Sequence, residues 1–267
     1  MSAPRAGTGP GRRLAELVAR AAPRLGTSFW LYRLLRGQSR ALARAGNDRR
    51  APRDLARQTA DGRFLEIVAH DLADVRIQTG PMTASQKYDE LMPLLDQVEA
   101  LRPRFVCEIG SSAGGTLYLL TRVSHEQAVI VSVDLAIPPH TRAARAGLAK
   151  KGQRLVSIEG DSHSAETKDA VVRALRGNAL DVLFIDGDHS YDGVRADFEQ
   201  YAPLVRSGGI VALHDINPDF RTRHDVETPS ISGDVPRYWS ELKDQHRTEE
   251  LIADPDQDGF GIGVVYL

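Results

Sequence analysis

The chain is poor in cysteine, in net charge and in long apolar runs, and each shortage excludes a class of protein. Its 267 residues contain one cysteine, Cys107, so no disulfide can form within the chain. A single thiol inside an apolar strand pattern is typical of a buried residue and fits a reducing compartment, so we predict a cytoplasmic location. The formal net charge of −2 gives no support for nucleic-acid binding. No stretch approaches the ~20 apolar residues of a membrane-spanning helix.

The sequence also lacks the G-x-G-x-x-G loop that dinucleotide-binding folds place against a pyrophosphate. In its place, an apolar strand pattern within FVCEIGSSAGGT (105–116) ends in E-x-G-x-x-x-G-G. Glu108 stands two residues before Gly110, and Gly114 precedes a helix pattern. An acid at this position would repel a pyrophosphate but would attract a cationic amino group, such as that of S-adenosylmethionine. A glycine-rich turn with an incidental glutamate is the simpler alternative for this loop alone.

Further apolar runs along the chain also end in acidic residues. The run AVIVSV ends in Asp134, where a carboxylate can accept hydrogen bonds from a ribose. EGDS (159–162) follows the next run, and LFIDGDHSYDG (183–193) places Asp186 after another. Because ligands bind at the carboxyl ends of parallel strands, these acids predict one nucleoside-binding pocket. We expect the cofactor-binding residues to be Glu108, Gly110, Ser111, Gly114, Asp134, Asp161 and Ser162.

Strand and helix patterns alternate through most of the chain and predict an α/β fold. We expect an N-terminal arm over 1–53 and a domain over 54–267, which begins with a helix over 63–77. Alternation of strands and helices requires parallel pairing with right-handed crossovers. The expected fold is therefore a Rossmann-like, doubly wound, mostly parallel seven-stranded sheet. A closing hairpin, predicted from LIAD (251–254) and GIGVVYL (261–267), would add one antiparallel strand.

The arm is rich in arginine and poor in acids. The first 57 residues contain thirteen arginines, but their acids are Glu16, Asp48 and Asp54. Such a segment can be partly disordered, or residues 12–45 can form amphipathic helices. Those helices could dock on the domain, on a partner subunit of a homo-oligomer or on anionic lipid. An arginine-rich leader also resembles an organelle transit peptide. We expect docking or disorder.

The order of elements, with a closing antiparallel hairpin, resembles the class I S-adenosylmethionine-dependent methyltransferase fold. The stretch LFIDGDHSYDGVRADFEQYAPLVRSGGIVALHDI (183–216) makes the resemblance narrower. It is similar to a group that includes cephalosporin-hydroxylase-like proteins and metal-dependent macrolide-sugar and rhamnosyl O-methyltransferases. The resemblance covers roughly residues 80–267 and leaves the arm outside. It implies an enzyme that methylates a hydroxyl of a small-molecule acceptor, a sugar or a glycosylated natural product.

The same resemblance implies a divalent cation, Mg²⁺ or another, and residues around it. In the resembled sugar enzymes an aspartate after the fourth strand and an acidic pair after the fifth hold the metal. The matching residues here are Asp186, His214 and Asp215. His214 departs from the pattern because it replaces a glutamate, and imidazole is compatible with manganese or iron as well as magnesium. His189 matches the proposed general base, so His189 and Asp186 are the implied catalytic residues.

Other interpretations of these residues stay open from the sequence. Asp215 could cap a strand-end turn, and His189 could bond its own backbone at a helix start. A catechol-type methyltransferase would share the fold and the metal, whereas a protein that binds the cofactor without turnover would fit the substitution at His214. The missing G-x-G-x-x-G loop argues against an NAD-dependent dehydrogenase. The irregular segment 217–239 is long enough to be a lid or a binding loop.

Overall fold

The computed structural model describes residues 67–69, 75–79, 82–145, 148–228 and 230–267. The arm predicted over 1–53 lies outside the described residues, so the division of the chain into arm and domain stays a prediction. Within the described part, no helix is both long enough and apolar enough to cross a membrane.

A small antiparallel sheet opens the described region, with strands β1 (Ile67–Ala69), β2 (Val75–Thr79) and β3 (Met82–Gln86). The helix predicted over 63–77 is therefore wrong where the chain is described. Ile67 pairs with Ile77, so the chain folds back on itself within that range. The β-branched residues Ile67, Val68, Val75 and Ile77 favour strands, and a short apolar run does not distinguish a strand from a helix.

A seven-stranded sheet forms the centre of the fold. Its strands are β4 (Phe105–Ile109), β5 (Val129–Asp134), β6 (Arg154–Glu159), β7 (Leu180–Ile185), β8 (Val205–His214), β9 (Arg247–Leu251) and β10 (Ile262–Tyr266). They are ordered β6-β5-β4-β7-β8-β10-β9. Strands β4 to β8 pair in parallel, whereas β10 is antiparallel to both of its neighbours. The Rossmann-like sheet and its antiparallel closing strand are confirmed.

One strand of the closing hairpin lies earlier than predicted. β9 ends at Leu251, where the prediction had a strand over 251–254. Its sequence, RTEEL, is polar and mostly exposed at the edge of the sheet, so an apolar pattern could not reveal it.

Helices cover both faces of the large sheet in the described chain. They are α1 (Tyr88–Leu101), α2 (Gly115–Val123), α3 (Pro139–Arg145), α4 (Ala165–Leu175), α5 (Tyr191–Tyr201), α6 (Phe220–His224) and α7 (Val235–Gln245). Successive side chains of a strand point to opposite faces, so Val106 packs in one apolar cluster and Cys107 in the other. Burial on both faces explains why the central strands read as continuous apolar runs.

The strand order reverses beside β4, which has β5 on one side and β7 on the other. Ile109, the last residue of β4, pairs with Val133 and with Ile185. The residues that follow these positions therefore meet at one edge of the sheet. A crevice at such a switch point is where α/β sheets bind ligands.

A close backbone contact in this crevice requires a glycine at residue 110. Its φ of +82° is in the left-handed region, and a Cβ there would lie 1.9 Å from the carbonyl oxygen of Asp186. A side chain at residue 110 would push β4 and β7 apart at the point where the predicted site begins.

We predict that Gly110→Ala destabilises the fold more than Gly177→Ala does. Gly177 has a similar φ of +80°, but a Cβ there would meet no described atom within 4 Å. Its substitution should therefore cost only the left-handed strain, about 1–2 kcal/mol of unfolding free energy. Urea denaturation of both variants measures the difference. Equal losses would show that the contact with Asp186 does not constrain the backbone.

Candidate active site

A cleft of ≈ 520 Å³ opens at the carboxyl ends of β4 to β7. Four of the predicted cofactor-binding residues line it, namely Gly110, Asp134, Asp161 and Ser162. Asp186, predicted to act in catalysis, lines the same cleft. The other predicted cofactor-binding residues lie outside this lining: Glu108 and Ser111 are buried behind it, and Gly114 caps the start of α2.

Asp134 joins two loops at the mouth of the cleft. Its Oδ2 accepts a hydrogen bond from the backbone N–H of Ser112 at 2.5 Å, and its Oδ1 accepts one from Ala136 at 2.9 Å. The neighbouring Leu135 side chain is 74% exposed although it is large and apolar. A carboxylate beside an exposed apolar side chain offers a polar and an apolar contact to one ligand.

The Glu108 carboxyl is buried beneath the cleft. Its side chain is almost fully buried, and its Oε2 has no hydrogen-bond partner among the described residues. Burial raises the pKa of Glu108 well above its usual range, Asp186 raises it further, and Arg145 opposes both. A cation entering the cleft would favour the ionised form of this carboxyl and would supply the missing partner.

Arg145 is a buried cation behind the loop that follows β4, and the sequence analysis did not identify it. Its Nη1 donates to the hydroxyls of Ser111 at 3.0 Å and Ser132 at 3.1 Å, and its Nη2 donates to the carbonyl of Ser112. These bonds fix the loop after β4 against β5. No sequence motif distinguishes this arginine from the exposed Arg142 of the same helix, so no local signal could have found it.

Two carboxylates and two imidazoles meet at the carboxyl ends of β7 and β8. His214 Nδ1 lies 3.1 Å from Asp186 Oδ1 and 3.1 Å from Asp215 Oδ2. His189 Nε2 lies 3.7 Å and 3.6 Å from the same two oxygens. The structure therefore brings together all four residues that the sequence analysis predicted as metal ligands or catalytic groups.

The charges in this cluster stabilise one another. Burial alone would raise the pKa of Asp186, but His214 and His189 hold it below its usual range. Burial alone would lower the pKa of His214, but Asp215 and Asp186 raise it well above its usual range. Asp186 Oδ1 and Asp215 Oδ2, the inner oxygens of the two carboxylates, thus both face the positive charge of the imidazoles.

His189 is held in one orientation by the segment before α7. Its Nδ1 lies 2.8 Å from the carbonyl oxygen of Ile231, and its own carbonyl accepts a hydrogen bond from Asp234 N–H at 2.8 Å. Because a carbonyl only accepts, Nδ1 carries the hydrogen and Nε2 faces the carboxylates. The carboxylate of Asp186 is the main cause that raises the pKa of His189 to about 9, with a further contribution from Asp215.

The donor atoms of this cluster fit a divalent cation. One atom each of Asp186, His189 and Asp215 lie within 4.8 Å of one another. His214 adds its Nδ1 beside both carboxylates, and its Nε2 is buried without a hydrogen-bond partner in the described chain. Mixed carboxylate and imidazole donors suit manganese, iron or zinc, while carboxylates alone favour magnesium.

A second acid–histidine contact lies at the other end of the cleft. His163 lines the cleft, and its Nε2 is 3.2 Å from the Gly193 carbonyl oxygen and 3.4 Å from Asp197 Oδ1. Burial raises the pKa of Asp197 to about 6, with opposing contributions from Ser162 and His163. Sequence analysis did not identify Asp197, since it lies inside a helix pattern.

Asp188 accepts a hydrogen bond from Ser190 N–H at 2.8 Å and so shapes the start of α5.

The region around this site is similar to parts of known proteins. Residues 107–216 match a family described as "Methyltransferase domain". An uncharacterized protein of Acanthamoeba polyphaga mimivirus is 30% identical over 120 residues, which are 43% of this chain and 52% of that protein. Mycinamicin VI 2''-O-methyltransferase of Micromonospora griseorubida is 31% identical over 108 residues, which are 39% of this chain and 26% of that protein. The matches thus span about half or less of these curated relatives.

A solved structure supports the same fold. The O-methyltransferase from Bacillus cereus, in complex with S-adenosylhomocysteine, aligns with a TM-score of 0.51. The alignment covers 84% of this chain and 97% of that protein at 17% identity. At this identity the likeness concerns the fold.

We predict that Arg145→Met weakens the binding of S-adenosylhomocysteine at least about tenfold. The variant loses the charged hydrogen bonds that position Ser111 and Ser112, each of which contributes about 1.5–3 kcal/mol. Arg142→Met is the matched control, because Arg142 lies on the same helix but is exposed and pairs with Glu159. Isothermal titration calorimetry measures both affinities. If the two variants bind equally well, Arg145 does not organise the loop.

Proposed function

We propose that the chain is a class I S-adenosylmethionine-dependent O-methyltransferase assisted by a divalent cation, and the match of residues 107–216 to a methyltransferase domain supports this proposal. The observation that carries this proposal is the position of Asp186. This residue lines the cleft and also contacts His189 and His214. A methyl donor in the cleft and an oxygen bound at the acid–histidine cluster would therefore be neighbours, as an in-line displacement requires.

The donor side of the proposal rests on the acids around the cleft. S-adenosylmethionine, when bound, supplies a methyl group on a positively charged sulfur. Asp134 would accept hydrogen bonds from the ribose, and Asp161, whose side chain is 58% exposed, would meet the adenine amino group. Glu108 would attract the ammonium group from beneath. The proposed cofactor-binding set is Glu108, Gly110, Ser111, Gly114, Asp134, Asp161 and Ser162.

The metal side of the proposal assigns Asp186, His214 and Asp215 as the residues that would hold the cation. His214 supports this choice because its Nδ1 is nearer to both carboxylates than His189 Nε2 is. A bound divalent cation lowers the pKa of an oxygen ligand and orients it. Mg²⁺ suits the carboxylates, and the imidazole of His214 extends the choice to Mn²⁺.

His189 is the proposed general base. Its Nδ1–H donates to Ile231, and a cation held by Asp186 and Asp215 would offset the two carboxylates that raise its pKa. Nε2 would then be free to take the proton of the acceptor hydroxyl. Asp186 and Asp215, at 3.7 Å and 3.6 Å, would then stabilise the imidazolium. The carbonyl of Ile231 keeps the ring in this orientation before and after the proton moves.

The acceptor is proposed to be a hydroxyl of a sugar or a glycosylated natural product. The relative named mycinamicin VI 2''-O-methyltransferase supports this class. A catechol-type acceptor is the alternative, because an enzyme of that type would share the fold and the metal.

Incubation with labelled S-adenosylmethionine tests the proposal. The acceptors are a panel of deoxysugar glycosides and a set of catechols, each with and without a chelator. Methyl transfer to a glycoside that the chelator suppresses and Mn²⁺ or Mg²⁺ restores is the expected result. Transfer to catechols alone would support the alternative acceptor, and binding of the donor without transfer to any acceptor would oppose an enzymatic role.

We predict that His189→Ala lowers the chemical rate by about 10²–10⁴-fold, because the acceptor loses its base. The affinities for Mn²⁺ and S-adenosylhomocysteine should stay within about twofold of the wild type. Single-turnover kinetics measure the rate, and electron paramagnetic resonance of Mn²⁺ measures the metal affinity. A large loss of Mn²⁺ affinity would instead make His189 a ligand.

A further inference from the structure

A buried polar network lies beside the acid–histidine cluster, outside the residues that match the methyltransferase family. It joins the start of α1 to the segment before β10. Glu90 accepts hydrogen bonds from Gly261 N–H at 2.9 Å and from Gln257 Nε2 at 2.6 Å. Lys87 Nζ donates to Gln257 Oε1 at 2.5 Å. These side chains are all less than a tenth exposed, so the two segments are fixed to each other.

Gln86 connects this network to Asp186. It is the residue before Lys87, its side chain is 1% exposed, and its Nε2 donates to Asp186 Oδ2 at 3.1 Å. Because a carboxylate only accepts, the amide nitrogen must face Asp186. This contact occupies Oδ2 and leaves Oδ1 directed to the two imidazoles.

The same network also reaches the second carboxylate. The backbone N–H of Phe260 donates to Asp215 Oδ1 at 3.1 Å, while Asp215 Oδ2 faces the imidazoles. Each carboxylate is thus held by a neutral donor at one oxygen and presents its other oxygen to the cluster. Gln86 and Phe260 belong to the two segments that Glu90 and Gln257 join, so the network fixes both orientations together.

The amide oxygen of Gln86 gives a second, independent observation. Oε1 is buried and has no hydrogen-bond partner in the part of the chain that is described. An unpaired buried acceptor is destabilising, so most buried acceptors are paired. The amide of Gln86 nevertheless bonds Asp186 through Nε2 while its Oε1 stays unpaired.

We propose that Gln86 is a positioning residue for the metal site, which fixes the Asp186 carboxylate so that Oδ1 faces a bound cation. The proposal rests on the metal-assisted function given above and adds to it a residue from the segment before α1. Partners that orient a ligating carboxylate typically change metal affinity 10–100-fold when they are removed.

Mn²⁺ binding to the protein loaded with S-adenosylhomocysteine tests this proposal. Gln86→Met keeps the length of the side chain but cannot donate to Asp186, so Mn²⁺ should bind 10–100-fold more weakly in electron paramagnetic resonance titrations. The affinity for S-adenosylhomocysteine and the melting temperature should stay near those of the wild type. Gln97→Met is the matched control, because Gln97 lies on α1 and bonds Glu249 instead. Its Mn²⁺ affinity should be unchanged.

The other possible outcomes distinguish the role of Gln86 from the metal-assisted function. If wild type and Gln86→Met bind Mn²⁺ equally, the role of Gln86 is refuted while the metal-assisted function stands. If the wild type binds no Mn²⁺, the metal-assisted function fails and the role of Gln86 fails with it. If Gln86→Met does not fold, nuclear magnetic resonance of the wild type decides: Mg²⁺ should shift the side-chain amide signal of Gln86 but not that of Gln97. An unshifted Gln86 signal overturns the proposal.

Discussion

The register of the parallel strands β4, β5, β7 and β8 is the constraint on which the whole site depends. Ile109 pairs with Val133 and Ile185, and Ile185 pairs with Leu213. The residue after each of these positions therefore arrives at the same edge of the sheet. A slip of one residue would turn the side chains of a strand to the opposite face. The buried apolar runs on both faces prevent such a slip, so ordinary core packing sets the geometry of the chemistry.

Charge balance is the second constraint, and it explains the local composition of the site. Two carboxylates that are mostly buried need compensating charge and hydrogen bonds. His214 and His189 supply positive charge to the inner oxygens, while Gln86 and Phe260 donate to the outer ones. The arrangement is directional, because neutral donors on the outside leave the inner oxygens to whatever cation occupies the space between them. Donors of equal strength on all sides would have no such preference.

The features that could be predicted from the sequence are those with a local signal. An apolar run that ends in an acid or a glycine marks both a strand and its functional end, which is why Gly110, Asp134 and Asp186 could be placed at strand ends together with the sheet. Arg145 and Gln86 act through partners that are distant in sequence, and an arginine or a glutamine within a polar stretch is ordinary. The prediction of a helix over 63–77 was wrong for a related reason. Pairing between neighbouring strands determines the structure there, and the apolar pattern of a single segment contains no signal for that pairing.

The segment predicted as a lid is bound to the proposed base, and this limits how the acceptor site can vary. Asp219 caps α6 through Thr222 N–H at 2.8 Å and accepts a second hydrogen bond from Ser232 N–H at 3.0 Å, which folds the segment back toward His189. Ile231 then contributes its carbonyl to His189, while its side chain is 68% exposed. An acceptor that packs on Ile231 would therefore press on the residue that orients the base. A substitution that displaces the carbonyl of Ile231 would therefore also move the imidazole of His189.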